Sequence, residues 1–158
     1  NETLLTFGRE AARVYGDRDA YVFRPGFRTR RWTHADAWGQ AARVATMLQQ
    51  WGVQQGDRVV IWAPNMPQWC FALMGALRVG AVGVPLDFRS TPQFVAQVLQ
   101  QTQPKVAFIT RMTPVGDALR GVRTVYLEDL EGALADAPAQ QAPFFCTAAP
   151  WSGMKARA

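Results

Sequence analysis

The run Val59-Val60-Ile61-Trp62 constrains the fold more than any other part of the chain. Four consecutive apolar residues predict a strand that is covered on both faces, which is typical of a parallel sheet with helices on each side. The turn Gln55-Gly56-Asp57 precedes this strand, and Ala63-Pro64-Asn65 ends it. Residues 66–79 then predict an apolar helix that stops at Gly80, so the strand is followed by a helix rather than a hairpin.

The other predicted elements fit the same sheet. Residues 3–15 predict an amphipathic helix, and the turn Pro25-Gly26 lies between two strands of a hairpin, Ala20–Arg24 and Phe27–Trp32. A second helix follows Thr33 and ends at Gly52. The later elements alternate: strands Ala81–Leu86, Val106–Thr110 and Thr124–Leu127, and helices 91–102 and 130–135. This order predicts an α/β fold, a parallel sheet flanked by helices with an N-terminal β-hairpin.

Three helix starts carry capping residues. Thr33 with Asp36 forms a variant of the capping box, and Thr91-Pro92 places a proline directly after an N-cap. Asn65 is predicted to cap helix 66–79, a role worth about 1 kcal/mol, which is enough to explain a polar residue after a strand end.

Composition excludes several classes of protein. The 158 residues are 49% hydrophobic and 18% charged, with a net charge of +5, so the chain is neither a disordered tail nor a fibre. The two cysteines, Cys70 and Cys146, form no CxxC pair, which favours a reduced compartment. Residues 1–20 lack the apolar core of a signal peptide, and the most apolar stretch, Phe71–Leu86, is too short and broken to span a bilayer. These features predict a cytoplasmic protein with no transmembrane segment.

Few residues qualify as catalytic or metal-binding groups. The chain has no Gly-rich phosphate-binding motif, and the cluster Gly75, Gly80 and Gly83 is better explained by close packing of a helix on a strand. His34 is the single histidine and is predicted to lie on the surface in a first helical turn. A Ser-His-Asp catalytic triad is therefore not expected. Cys70 lies in an apolar helix without a cationic activator and is predicted to be a small buried hydrophobe. We therefore assign no catalytic residue and no metal ligand, and the cofactor-binding residues remain unknown.

Four arginines lie in or near the predicted hairpin, with no acidic residue between positions 20 and 35. They are Arg24, Arg28, Arg30 and Arg31. Such a cluster attracts phosphate or an anionic membrane surface, and it equally protects a solvated edge hairpin against pairing with another strand. The second interpretation is favoured. A nucleic-acid partner is not expected, because aromatic platforms are not interleaved with the charges.

Two short Asp/Arg pairs follow turns at opposite ends of the predicted sheet elements. They are Asp57-Arg58 and Asp87-Phe88-Arg89. Asp87 lies just beyond the carboxyl end of a strand, where open α/β sheets bind their ligands. This position alone makes Asp87 a weak candidate for a binding residue.

The order and spacing of several short segments is distinctive. They are Gly52-Val53, Gly56-Asp57-Arg58-Val59, Ala63-Pro64-Asn65-Met66-Pro67-Gln68-Trp69, Gly80-Ala81-Val82 and Val84-Pro85-Leu86-Asp87. Together they closely resemble the N-terminal part of the adenylate-forming enzymes, in particular acyl-CoA synthetases of the long-chain fatty-acid type. Arg31-Trp32-Thr33 and Pro104-Lys105-Val106 fit the same pattern. The resemblance covers residues 3–128.

The resemblance implies an ATP-dependent reaction in two steps. A fatty-acid carboxylate attacks the α-phosphate of ATP to give an acyl-adenylate and pyrophosphate, and the thiol of CoA then displaces AMP. Mg²⁺ and basic groups offset the phosphate charge during the transfer. ATP, Mg²⁺ and CoA are therefore the cofactors implied for the intact enzyme, and peripheral contact with a membrane is compatible with its fatty-acid substrate.

The chemistry of this family is carried mostly by later motifs. Its phosphate loop, of the form Y-T-S-G-T-T-G-x-P-K-G, does not occur in the 158 residues, and Trp151-Ser152-Gly153-Met154-Lys155 is only faintly similar to it. The adenine and ribose motifs and the C-terminal lid with its catalytic lysine are also missing. We expect an N-terminal fragment, a partial lobe that is inactive alone, binds none of these cofactors tightly and associates with the remainder of the enzyme.

The end of the chain differs in composition from the rest. Residues 1–132 are predicted to be the N-terminal part of the AMP-binding domain, and 133–158 a linker and irregular tail. Codons compatible with Phe145–Pro150 permit Tyr-Ser-Gly-Thr in the −1 frame, so we hypothesise that the tail comes from a truncated or frameshifted gene. A non-catalytic interaction module derived from the family remains the alternative, and it predicts an exposed apolar patch on helix 66–79 and the tryptophans.

Overall fold

A computed structural model describes residues 3–115 and 117–135 of the chain. Its elements in chain order are α1 (Leu4–Val14), β1 (Asp19–Phe23), β2 (Arg30–Thr33), α2 (His34–Gln50), β3 (Arg58–Trp62), α3 (Pro67–Arg78), β4 (Val82–Leu86), α4 (Pro92–Thr102), β5 (Val106–Ile109), β6 (Arg123–Tyr126), a 3₁₀ turn (Leu127–Asp129) and α5 (Leu130–Ala133).

Strands β3 to β6 form one parallel sheet in the order β4-β3-β5-β6, and β1 pairs with β2 in a separate antiparallel hairpin. The apolar run that predicted a doubly covered strand is β3, and its residues from Val59 to Trp62 are fully buried. The predicted fold class, a parallel sheet flanked by helices with an N-terminal β-hairpin, is confirmed.

The two faces of the sheet have separate apolar cores. On one face α2 and α3 cover Val59 and Ile61, and the hairpin packs there through Trp32. On the other face α4 covers Val60 and Trp62, together with the segment 115–122. The segments that follow β3 and β5 therefore go to opposite faces, and such a reversal is where open α/β sheets leave a crevice.

Close approach of α3 to α2 explains one of the clustered glycines. A Cβ on Gly75 would lie 2.4 Å from a methyl carbon of Val44, so only glycine fits between the helices. The glycine cluster was predicted to let a helix pack closely on a strand. That prediction is wrong for Gly75, which faces Val44 of helix α2. It is confirmed for Gly83, where a Cβ on β4 would lie 2.6 Å from Leu73 of α3.

The helix caps agree with prediction at two of three positions. The Asp36 amide donates to Thr33 Oγ1 at 3.1 Å, and the Thr33 amide donates to Asp36 Oδ2 at 3.0 Å. Thr91 caps α4 by accepting from the Phe94 amide. The prediction for Asn65 is wrong, because the N-cap of α3 is Met66, with no side-chain hydrogen bond. Pro67 at the first helical position has no amide hydrogen, so one donor that a cap would satisfy is absent.

The largest shift from a predicted strand boundary is at the start of β2. Strand β2 begins at Arg30 instead of Phe27, so residues 24–29 form a longer connection around Pro25-Gly26. Leu134 is fully buried in the main core, which therefore extends at least that far. The rest of the predicted linker and tail, 136–158, lies outside the described residues, and the division at 133 stays a prediction. No helix in the described part has the length and apolar character to cross a bilayer.

Candidate functional site

The carboxyl end of the parallel sheet holds a pocket of about 390 Å³ between β3 and β4. The segment that follows each strand forms one wall, and α3 contributes Trp69. The lining residues are Ala63, Pro64, Asn65, Trp69, Pro85, Leu86, Asp87, Phe88 and Arg89. Most of these residues belong to the segments that were predicted to form turns after strands.

Trp62 joins the two strand ends beneath this pocket. It is the last residue of β3 and is fully buried, and its Nε1 donates to the carbonyl oxygen of Asp87 at 3.1 Å. The bond ties the residue after β4 to the end of β3. The two strand ends that carry the pocket walls are therefore tied together by a buried indole.

Asp87 is the carboxylate of the pocket, and it is already bonded to Arg89. Its Oδ1 accepts from the Arg89 amide at 2.8 Å, and its Oδ2 lies 3.3 Å from the guanidinium of Arg89. The backbone bond from Arg89, followed by the bond from the Arg89 side chain, lowers the pKa of Asp87. Both side chains are exposed, at 59% for Asp87 and 83% for Arg89, so water competes for every bond they make.

The chemistry available in this pocket is recognition of a mainly apolar group beside one ion pair. No group of three His, Cys, Asp or Glu residues able to hold a metal ion occurs among residues 3–115 and 117–135. The pocket walls contain no serine, cysteine or histidine that could act as a nucleophile or base. A wall of this kind can position a substrate, and its charged groups are the paired side chains of Asp87 and Arg89.

The other half of the carboxyl end, between β3 and β5, is closed by a buried hydroxyl pair. Thr113 Oγ1 lies 3.0 Å from Thr110 Oγ1, accepts from the Thr110 amide at 3.0 Å and donates to the carbonyl oxygen of Trp62 at 3.0 Å. Both threonines are buried. Sequence analysis missed this network, although Thr-x-x-Thr directly after a strand has the spacing of a side chain that satisfies a strand end.

A second cavity, of about 220 Å³, lies between α1, β1, α2 and α3, away from the strand ends. Its walls are apolar apart from Tyr21, His34 and Cys70. His34 is half-buried and lies with its ring centre 5.8 Å from that of Tyr15, so the predicted place on the open surface is wrong. Tyr15 covers it because α1 ends beside the first turn of α2.

Cys70 is half-buried, not fully buried as predicted, and its thiol contributes to the wall of this second cavity. Burial, followed by a hydrogen bond with Cys70, raises the pKa of Tyr21 above its ordinary value. The two side chains make a polar contact inside a mainly apolar space. The interpretation of Cys70 as a structural residue stays a prediction. Cys146 lies outside the described residues.

The remaining sequence candidates have structural roles or are exposed. Asp57 and Arg58 lie at the amino end of the sheet, where they bind neighbouring backbone and Lys105. In the hairpin, Arg30 pairs with Glu131 and Arg31 pairs with Asp19. Sequence analysis gave Arg78 no role, and the structure places the guanidinium of this buried residue over the ring of Trp38, 4.3 Å from the ring centre.

Comparisons with known proteins identify the family. The family model described as "AMP-binding enzyme" matches residues 8–149. The acyl-CoA ligase sidI of Aspergillus fumigatus is 38% identical over 61% of this chain and 16% of its own length. The crotonobetaine/carnitine–CoA ligase of Salmonella paratyphi A is 31% identical over 65% of this chain and 20% of its own length. The chain thus spans a fifth or less of these curated relatives.

A solved structure agrees with the sequence matches. The N-terminal domain of FACL13 from Mycobacterium tuberculosis superposes with a TM-score of 0.81 at 29% identity, covering 92% of this chain and 39% of that domain. The chain therefore belongs to the AMP-binding enzyme family, and its fold is that of the N-terminal part of an adenylate-forming acyl-CoA synthetase.

Proposed function

We propose that this chain is the N-terminal part of an ATP-dependent acyl-CoA synthetase, and that it builds one wall of the cleft where the carboxylic acid and the nucleotide meet. The reaction of the complete enzyme would join a fatty acid and CoA, with ATP converted to AMP and pyrophosphate. The observation that carries the proposal is the pocket between β3 and β4, which lies at the carboxyl end of the sheet, where open α/β sheets bind their ligands.

The described residues do not fit ATP or Mg²⁺ by themselves. The carboxylate in the pocket, Asp87, is bonded to Arg89, and a magnesium site normally combines one or two carboxylates with phosphate oxygens and water. A triphosphate needs several convergent backbone amides, and the amide of Arg89 already donates to Asp87. We therefore derive no chemical step within this chain, and we propose that it is inactive alone.

The pocket residues can position a bound group and exclude water from it. Trp69 and Phe88 supply aromatic surface, and the prolines Pro64 and Pro85 hold the two walls without amide hydrogens that would need partners. A wall of this kind removes water from a bound acyl or adenine group. Closing water out of an activated ester protects it from hydrolysis until the thiol arrives.

Pyrophosphate release tests the proposed inactivity. The purified 158-residue chain is incubated with ATP, Mg²⁺ and fatty acids of several lengths, beside a full-length acyl-CoA synthetase as positive control. We expect the chain to release no more pyrophosphate than a protein-free blank, while its circular dichroism shows a folded α/β protein. Robust turnover by the folded chain would contradict the proposal.

A second candidate function, a non-catalytic interaction module, is favoured by one observation on α1. Large apolar side chains are exposed along this helix, at Leu4, Phe7, Val14 and Tyr15. The predicted patch on helix 66–79 is wrong, because α3 and the tryptophans among the described residues expose none of the large apolar side chains. Concentration-dependent association that Phe7→Ser abolishes would favour this candidate, and the same face would also serve to join the remainder of the enzyme.

A further inference from the structure

The connection between β1 and β2 carries a fully exposed aromatic side chain. Phe27 has 107% of its reference surface accessible, more than any other large apolar side chain among the described residues. It lies beside the turn Pro25-Gly26, where Gly26 adopts a positive φ of 65°. On the outward face of the adjoining strand, Val22 is also half-exposed. An apolar tip of this kind makes no contribution to either core.

The charges around this tip are positive and only partly compensated. Arg30 and Arg31, at the base of the hairpin, pair with Glu131 and Asp19. Arg24 donates through Nε to the hydroxyl of Thr29 at 3.0 Å. Within residues 3–115 and 117–135, neither Arg24 nor Arg28 forms an ion pair. The two arginines that flank Phe27 therefore keep their full charge toward solvent.

We propose that this hairpin tip docks on an anionic lipid surface. Phe27 enters the boundary between headgroups and acyl chains, and Arg24 and Arg28 bind the lipid phosphates on either side. An exposed aromatic between unpaired basic residues matches the chemistry of that interface, which is negatively charged outside and apolar just beneath. The contact is peripheral and reversible, because one aromatic ring and two charges give only a weak anchor.

The geometry favours a membrane over a nucleic acid. Binding of single strands uses several aromatic rings on which successive bases stack, and the connection at residues 24–29 holds one phenylalanine. Hydroxyl and amide side chains that would contact base edges are limited there to Thr29, which is bonded to Arg24. This inference is independent of the proposed acyl-CoA chemistry, since it rests on hairpin residues that lie outside both cavities.

Vesicle flotation with the 158-residue chain tests the proposal. The probes are vesicles of phosphatidylcholine alone and vesicles in which about a third of the lipid is phosphatidylglycerol. We expect binding to the anionic vesicles only, and a steep loss of binding at high salt. Phe27→Ser should weaken the partition coefficient roughly tenfold and Phe27→Leu should restore most of it. The double variant Arg24→Ser/Arg28→Ser should lower the partition coefficient by about fivefold for each arginine removed.

Matched controls lie on the opposite side of the sheet. Phe94→Ser removes a half-exposed phenylalanine from α4, and Arg120→Ser removes an exposed arginine from the segment before β6. Neither should change vesicle binding by more than about twofold. The proposal is overturned if the controls lose as much binding as the tip variants, or if the folded chain binds neutral and anionic vesicles alike. Binding to an RNA oligonucleotide that depends on Phe27, without vesicle binding, would overturn it too.

Discussion

The two ends of the parallel sheet carry the same residue types, an aspartate followed closely by an arginine, and use them in different ways. At the amino end, Asp57 accepts from the Gln54 amide at 2.7 Å and from Lys105 Nζ at 2.8 Å, and its side chain is 18% exposed. At the carboxyl end, Asp87 is 59% exposed, and its carboxylate bonds only to Arg89, two residues away, among the contacts of the described residues. The amino end is thus cross-linked between distant segments, and the β3–β4 half of the carboxyl end is left open.

The arginines at the two ends of the sheet, Arg58 and Arg89, differ in the same way as the aspartates. Arg58 donates to the carbonyl oxygens of Thr102 and Gln103, which joins β3 to the end of α4, and Lys105 also donates to the carbonyl oxygen of Gly52. Arg89 reaches no segment beyond its own turn among the contacts of the described residues. Polar residues at the amino end and in the β3–β5 half of the carboxyl end therefore stabilise the fold, whereas Asp87 and Arg89 in the β3–β4 half leave a wall free to meet a ligand.

The largest expected effect is at Thr113, which closes the β3–β5 half of the carboxyl end. Thr113→Val keeps the shape of the side chain but leaves the Thr110 amide and the Trp62 carbonyl without their buried partner. We expect the free energy of unfolding to fall by about 2 kcal/mol in urea denaturation. Thr113→Ser, which keeps the hydroxyl, should lose much less. Equal losses in both variants would show that packing, not hydrogen bonding, closes this half.

A smaller loss is expected at Asp57. Asp57→Ala removes the acceptor for Gln54 and Lys105, and we expect the free energy of unfolding to fall by about 1 kcal/mol, since Lys105 is half-exposed and its bond is weakened by water. Lys105→Met should lose less, because the bond from the Gln54 amide remains. If Lys105→Met lowered the free energy of unfolding more than Asp57→Ala, this assignment of the two bonds would be contradicted.

The contribution of Asp57 to the free energy of unfolding should depend on pH. The bond from Lys105, followed by that from the Gln54 amide, lowers the pKa of Asp57 below its ordinary value of 3.8. A lowered pKa in the folded state means that the stabilisation is complete above the unfolded-state pKa and is lost as the pH falls through the folded-state pKa. The difference between native chain and Asp57→Ala should therefore be constant near neutral pH and shrink below about pH 4. A difference that grows on acidification would contradict this assignment.

The smallest effect is expected at Asp87. Asp87→Asn removes a solvent-exposed pair within one turn, so the urea midpoint should not change measurably. If Asp87→Asn destabilised the chain as much as Asp57→Ala, the contrast between the two ends of the sheet would be wrong.

Sequence reasoning recovered the features that depend on local pattern. The apolar run of β3, the caps at Thr33 and Thr91 and the turn after β4 are each set by neighbours within a few residues, and their signals are strong. The cap at Asn65 was wrong because Met66 and Pro67 start the helix one residue later. The predicted start of the second hairpin strand at Phe27 was wrong, because the turn around Pro25-Gly26 takes up more residues than a tight hairpin turn does.

Features that depend on distant segments were not predictable. The Thr113 hydroxyl bonds a carbonyl 51 positions away, and Gly75 meets Val44 of another helix. Likewise, the half-buried state of His34 follows from where α1 ends, since Tyr15 then lies against it. Motif order identified the family because the spacing of many short segments is specific.

Calorimetric titration of the folded 158-residue chain with ATP and Mg²⁺ tests the central claim most directly. The claim is that these residues form a positioning scaffold without a nucleotide site of their own. The account predicts no saturable heat at nucleotide concentrations up to about 1 mM, which corresponds to an affinity weaker than about 4 kcal/mol. Saturable binding in the micromolar range, lost on substitution of residues in the β3–β4 pocket, would contradict it.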